Sequence, residues 1–399
     1  MAKISYMKYI ILLSLQLSLM VFFSLASICQ NMAPSGALVM SNYRQDMSVL
    51  GSRDGYHIGI IGFGAEHALA KIGADSWASG GTGVVEQGAS GALFTNPACM
   101  DFQSLTVSAE LTGRLKTKTY LGFDYDGIVY PSFVSVGMKK DNWNLSAGYL
   151  NYFNYAKSNY LPETTPEYPE GTGNYYTFET NIKVHSFFGS ANCSSEKLTY
   201  GLTLGLNYLV NSESWGNTNT SENGLGLLAI AGLLASPSEQ FNIGLSFKFA
   251  TPIEYTSKPL TEEYIYRAAF PWGFELGLSG ELSPIFRVLA SVDFQNWKDV
   301  SPGMQNELNI HLGTVIEVSQ YNNLRFGFFT QSDPILFYKP YFDQNFLSGG
   351  FQTGDEHITI SLTILDSHLF NREELISYNG DEHQFHQTII SLGGTYRFE

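Results

Sequence analysis

Three arginines stand where a guanidinium would meet a carboxylate. Arg287, Arg325 and Arg397 each sit among alternating residues, on the polar side of the alternation. A planar guanidinium holds a carboxylate through two parallel hydrogen bonds. Such a group either takes a ligand carboxylate or pairs with a neighbouring acid such as Asp293 or Glu317, and pairing is the commoner use. A second cluster is His368, Asp381, Glu382, His383 and His386. His383 and His386 have metal-ligand chemistry, but loose acids and histidines in one exposed loop more often hold nothing, and no metal is expected. Gly59-Ile60-Ile61-Gly62-Phe63-Gly64 has the look of a phosphate loop. It lacks the strand before it, the helix behind it and the later acid that a dinucleotide site needs, so turn or plug backbone is the better reading. No Gly-x-Ser-x-Gly elbow lies in a strand-to-helix context, and no nucleophile–base pair stands out. Catalytic residues, a cofactor and an enzymatic role are therefore not expected.

The elements that would position these residues are strands. The chain has 399 residues and a formal net charge of -15, from 22 Lys+Arg against 37 Asp+Glu. That balance argues against a nucleic-acid surface, which needs basic groups to neutralise phosphates. Charged residues make up 15%, against about 25% in soluble domains, while aromatics reach 14%. Few charges and many Tyr, Phe and Gly suit a membrane barrel with aromatic girdles, and also a soluble all-β protein. From Leu105 onward, apolar residues recur at every second position. Leu198, Tyr200, Leu202, Leu204, Leu206 and Tyr208 form one such series, Phe241 to Phe249 another, and Ile358 to Ile364 a third. This is the period of a strand with two different faces. About fourteen strands follow, at 105–113, 128–138, 142–152, 176–191, 197–210, 222–235, 239–250, 273–282, 285–297, 307–318, 322–331, 345–353, 356–366 and 386–398.

The connections decide between sandwich and barrel. Those after even-numbered strands are short, such as Ser236-Pro237-Ser238, Ser283-Pro284 and Gly354-Asp355. Those after odd-numbered strands run long, including Phe153 to Tyr175, Asn211 to Ser221, Thr251 to Trp272 and Ser367 to Phe385. Short periplasmic turns alternating with long outer loops belong to outer-membrane barrels. No run after the N-terminus has the roughly 20 apolar residues of a spanning helix. The expected fold class is all-β: a closed transmembrane antiparallel β-barrel, with interface aromatics at Tyr130, Trp143, Tyr149, Tyr208, Trp272, Trp297 and Tyr396.

Ahead of the strands come two other regions. Residues 1–29 read as a secretory signal: Lys3 and Lys8, an apolar stretch from Ile10 to Phe23, then small residues. Cys29 as a lipidated residue is disfavoured by the bulky Ile28 before it. Residues 30–104 read as an extension followed by a plug, with the barrel at 105–399. The plug centres on Gly80, Gly81 and Gly83, then Asn96, Pro97 and Ala98. Asn96 either ties the plug to the wall or makes a local Asn-Pro turn. Cys99 and Cys193 are expected to be free thiols.

These stretches together resemble the FadL/TodX family of outer-membrane transporters of long-chain fatty acids and other hydrophobic compounds. Trp77 to Gly83 with Ala89 to Ala98 is similar to that family's hatch and its NPA motif. Phe270-Pro271-Trp272-Gly273-Phe274 and Asp293 to Trp297 resemble its mid-barrel hairpin, and Phe241 to Pro252 and Leu324 to Phe328 are similar to its later strands. Residues 30 to 73 exceed the family's short N-terminus. The resemblance implies a monomeric channel for a hydrophobic small molecule, set among outer-membrane lipid and lipopolysaccharide and inserted by the barrel-assembly machinery. Tyr255, Tyr264, Ile265 and Phe270 would capture the ligand; Arg287 and Arg325 are candidate ligand contacts on the guanidinium chemistry above and not on the resemblance. Hatch motion would then open a sideways path, with Gly148 as a point where the third strand kinks. Two other readings stay open: a PorV-like scaffold in protein secretion and surface attachment, and an outer-membrane lipid hydrolase.

Overall fold

A computed structural model describes residues 49–53, 56–59, 73–115, 117–118, 124–125, 127–162, 175–215, 218–257, 264–268, 270–299, 304–332, 343–370 and 387–398. The proposed signal at 1–29, the glycines Gly62 and Gly64, and Asp381, Glu382, His383 and His386 lie outside them.

Fourteen antiparallel strands close into a barrel. They are β1 (Thr106–Arg114), β2 (Ile128–Lys140), β3 (Trp143–Pro162), β4 (Tyr175–Ser195), β5 (Leu198–Trp215), β6 (Thr218–Ser238), β7 (Phe241–Ala250), β8 (Gly273–Ser283), β9 (Phe286–Gln295), β10 (Glu307–Ser319), β11 (Asn322–Gln331), β12 (Gln344–Gly354), β13 (Ile358–Asp366) and β14 (Thr388–Arg397). Each strand pairs with its neighbour in sequence, and β14 returns to β1 from Arg397↔Thr106 to Ile389↔Arg114. Closure pairs each strand on both sides along most of its length, which a sheet in hydrocarbon requires.

The two faces separate as the alternation predicts. On β5, Leu198, Tyr200, Leu202, Leu204 and Leu206 are exposed, while Thr199, Thr203, Asn207 and Asn211 are buried inside. Exposed aliphatic and aromatic side chains continue around the wall, through Leu225, Phe247, Leu276, Phe326, Ile360 and Leu392. An apolar surface of that extent is a lipid-facing band, and the barrel is a membrane-spanning one of outer-membrane type. Trp272 sits where β8 begins, its ring 6.0 Å from Phe247 and 5.7 Å from Phe294. Its indole N–H donates to Asp299 at 3.0 Å, as suits a residue between lipid and water.

Several outer connections are shorter than their sequence suggests. β5 and β6 run on to Trp215 and Thr218, paired throughout, so the expected loop Asn211 to Ser221 is a hairpin tip. β3 and β4 likewise extend to Pro162 and Tyr175. The Thr251 to Trp272 connection holds its own hairpin, Ile253–Ser257 with Tyr264–Ala268. That hairpin continues into a small sheet with Tyr56–Gly59 and Val49–Arg53. Polar stretches such as Asn211-Ser212-Glu213-Ser214 lack a strand's alternation. They become strand because a neighbouring strand is already there to pair with.

Candidate functional site

The barrel's inner face is built around residues 73–104. α1 (Ala74–Ala78) leads into Gly80 and Gly81, both with positive φ (74° and 76°), a turn that side chains resist. A 3₁₀ turn at Gly83–Val85, the short helix α2 (Ala92–Thr95) and a second 3₁₀ turn at Pro97–Cys99 follow. Pro97 starts the last turn, where its missing N–H costs nothing. Asn96 caps it, its side-chain oxygen accepting from Ala98 N at 3.1 Å. Its amide nitrogen donates to Val84 O at 2.7 Å and to Leu233 O of β6 at 3.2 Å. One side chain thus makes the local turn and the tie to the wall.

The wall receives this hatch on three cross-strand glycine pairs. Gly201↔Gly232 lies under Asn96-Pro97-Ala98, Gly244↔Gly277 under Val84-Val85, and Gly313↔Gly327 under Ser79-Gly80. A Cβ at any of the six would meet hatch atoms well inside van der Waals contact. Polar wall residues complete the seat. Asn192 donates to Pro97 O at 3.0 Å and Met100 O at 2.7 Å, and Asn144 to Met100 O at 3.1 Å. Thr203 donates to Leu93 O and Ser246 to Thr95 O, each at 2.6 Å. On the opposite side His311 Nδ1 lies 2.8 Å from Gly80 O, Ser348 donates to Ala78 O, and Glu110 accepts from Ala74 N at 2.6 Å. The wall donors bond hatch carbonyls, and Glu110 a hatch N–H, so that backbone groups outside the sheet keep partners.

The arginines are placed differently from one another. Arg325 is buried and bonds Glu86 of the hatch, and its guanidinium also donates to Asp75 O at 3.2 Å and Gln352 at 3.2 Å. Arg287 lies toward the short-turn end and pairs with Glu317 at 3.1 Å. Arg397 donates to Thr359 at 2.9 Å. Phe270 packs half-buried against the interior apolar cluster. Tyr255 pairs with Tyr266 through its backbone, and its side chain lies outside the described residues. His368 bonds Asp366 at 2.9 Å, and no group of metal-holding residues occurs among the described residues. Cys99 and Cys193 are free thiols, the first buried and donating to Val84 O at 3.3 Å.

One seam of the wall is incomplete. The β2–β3 ladder runs from Lys140↔Trp143 to Phe133↔Leu150 and stops. Beyond it, among the described residues, 128–131 of β2 pair with β1 alone, and 151 and 153–156 of β3 with β4 alone. Pairing to β3 resumes only at Tyr125↔Lys157 and Asp124↔Ser158. The unpaired window is about 20 Å long at strand rise. Extra residues flank it: Ser132 on β2 and Tyr152 on β3, each skipped by its partner strand. Gly148 is not the break. It is paired on both sides, with Ser135 and Phe188, and the irregularity falls four residues later because the inserted Tyr152 shifts the register. Pro131 is the residue in the sequence that marks this seam, since a proline belongs in a strand that is unpaired on one side.

The hatch's apolar side lies at the foot of this window. Leu93 and Phe94 of α2 pack in one cluster with Phe133, Leu150 and Phe188 of β2, β3 and β4, and with Leu228, Ile230 and Ala250 of β6 and β7. The Phe94 and Phe188 rings are 6.4 Å apart, and Lys248 Nζ sits 4.4 Å over the Phe94 ring. Phe270, on the long-loop side, touches the same cluster. One contiguous buried apolar cluster therefore joins the outer connection to the hatch and to the window.

No family model and no curated protein matches the sequence. Solved structures do match the fold. The P. putida toluene transporter TodX superposes with a TM-score of 0.62 at 15% identity, covering 83% of this chain and 99% of that one. The Ralstonia pickettii toluene transporter TbuX gives 0.63 at 12% identity, over 83% and 99%. A Pseudomonas aeruginosa FadL homologue gives 0.60 at 12% identity, over 82% and 98%. Over most of its length this chain has the plugged fourteen-stranded architecture of those outer-membrane barrels.

Proposed function

We propose that the protein passes hydrophobic small molecules across the outer membrane, from the long-loop end to the window between β2 and β3. The observation that carries this reading is the apolar cluster joining Phe270, Phe94, Phe133 and Leu150 at the foot of an unpaired seam. A ligand captured beside Phe270 would move along it by exchanging one apolar contact for another, losing little hydrophobic free energy on the way. The window would then release it sideways into lipid, so it never enters the water of the periplasm.

The hatch has to move for this, and its anchoring is uneven. Ala74 to Glu86 is held through Glu110, Ser348, His311 and Arg325, and Asn96 to Met100 through Asn192 and Asn144. Between them, Gln87 and Gly88 are exposed, and α2 is held to the wall by Thr203 and Ser246. We assign the moving part to residues 87–95, which include Phe94. Fatty acids, alkanes and monoaromatics all belong to the class the cluster accepts. The toluene transporters that share the fold support the same class.

The test is uptake of labelled hydrophobes by cells carrying the full chain. Saturable uptake by wild type, abolished by Leu150→Asp in a barrel that still shows heat-modifiable migration, is expected. Undiminished uptake with a carboxylate at the window's foot would overturn the route. No saturable uptake by wild type would overturn the function.

A further inference from the structure

Half the circumference away from the apolar cluster, the inner wall changes character. Asp293 on β9 pairs with Asn309 on β10, which accepts from Ser332 N at 2.9 Å just after Gln331 of β11. Gln331 pairs with Gln344 of β12. Ser367, following β13, donates to Gln344 Oε1 at 2.9 Å and accepts from Gln387 N at 2.8 Å. The row continues from Gln387, which precedes β14, to Arg114 on β1, opposite Ile389. All seven are buried and inward-facing. This polar belt lies on the long-loop side of an apolar layer, Phe329, Phe346, Leu365 and Ile389, that packs on Trp77 of the hatch.

Two members of the belt are unsatisfied. Gln387 is 0% exposed and neither its amide oxygen nor its amide nitrogen has a hydrogen-bond partner; Gln344 is 1% exposed and its amide nitrogen has none. Buried amide atoms without partners are rare and each destabilises the fold. A leucine at either position would have filled the space without that cost. Three orphaned groups, two donors and one acceptor, on residues joined through Ser367, match a ligand atom that both accepts and donates. The hydroxyl of an alcohol does both. A carboxylate fits less well, because it cannot donate to Gln387 Oε1.

We propose that the interior binds amphiphiles with an uncharged hydroxyl end. The hydroxyl is held by Gln344 and Gln387, and the hydrocarbon body lies across the lumen toward Leu228, Ile230 and Phe188. This rests on the transporter reading and narrows its substrate class. β13 and β6 are seven strands apart in a ring of fourteen, so the two ends of one such molecule face opposite walls.

The experiment measures binding of 1-dodecanol and of dodecane to the purified full chain in nanodiscs, each corrected for its own partition into protein-free nanodiscs. The alcohol is expected to bind at least about tenfold more tightly, the scale of an added hydrogen bond to a group otherwise left unpaired. In Gln344→Leu/Gln387→Leu, which removes the three unpaired amide atoms together with the Ser367–Gln344 bond and leaves Ser367 its bonds to the Gln387 backbone, the preference disappears and alkane binding is kept. Equal binding of alcohol and alkane by wild type overturns the proposal, as it would if water fills the belt. A preference that survives in the double variant overturns it too. Binding of neither ligand overturns the transporter reading itself, and the proposal with it.

Discussion

Replacing Arg325 with methionine should free the hatch without unfolding the barrel. Arg325 and Glu86 are 7% and 3% exposed, so neither charge has water to fall back on. Removing the guanidinium leaves the Glu86 carboxylate with one remaining bond, from the Ser79 hydroxyl at 3.3 Å. An uncompensated buried charge of this kind costs about 3–5 kcal/mol. The carbonyl of Asp75 loses one of its donors as well and keeps those of Ser79. That energy falls on the contact between hatch and wall, because β11 keeps its ladder to β10 and β12 on backbone bonds alone. Amide hydrogen exchange in peptides covering residues 73–100 should accelerate by about two to three and a half orders of magnitude. Exchange in β10 to β12 should stay as it was. The double variant Arg325→Met/Glu86→Met should return most of the protection, since an apolar pair of similar volume replaces a buried ion pair at little or no cost. Two results would refute this account: a hatch as protected in Arg325→Met as in wild type, or a double variant looser than the single one.

Gly232→Val and Gly244→Val should unseat the hatch and raise permeability to large hydrophilic antibiotics, whereas Gly394→Val, which faces open space, should leave growth in their presence unchanged. A thiol probe should leave Cys99 unlabelled in the folded barrel and label it once the chain is unfolded; labelling under native conditions would contradict its burial at 0% exposure. At the short turn before β13, the backbone N–H groups of Ile358 and His357, each 2.8 Å away, hold the Asp355 carboxyl below the ordinary carboxylate range. A depressed folded-state value contributes stability above the unfolded value, about 3.9, and loses it as pH falls through the folded one. Unfolding midpoints of wild type and Asp355→Ala in urea should therefore differ at neutral pH and converge under acid; a gap independent of pH would count against the turn's role.

Much of the architecture was written in local pattern. Period two in Leu198 to Tyr208 or Ile358 to Ile364 determines which side chains face lipid, because a strand has only two faces. The short connections, six of them, determine which end of the barrel each strand starts from. Gly80-Gly81 and Asn96-Pro97 announce tight turns through backbone requirements that few other residues meet. The seat of the hatch was not legible in this way. Arg325 meets Glu86, Asn192 meets Pro97 and His311 meets Gly80 across hundreds of residues or nearly so. Nothing beside those residues in the chain distinguishes an inward Asn that holds the hatch from one that only lines the lumen. The glycines of the three wall pairs look like ordinary strand weaknesses until the hatch is laid against them. The window between β2 and β3 depends on one inserted residue in each strand, and insertion is defined only against the register of a partner. Local sequence determines the conformation of a segment and the face it buries; partners come from closure of the barrel, which alone sets which inward positions share a level and what they touch.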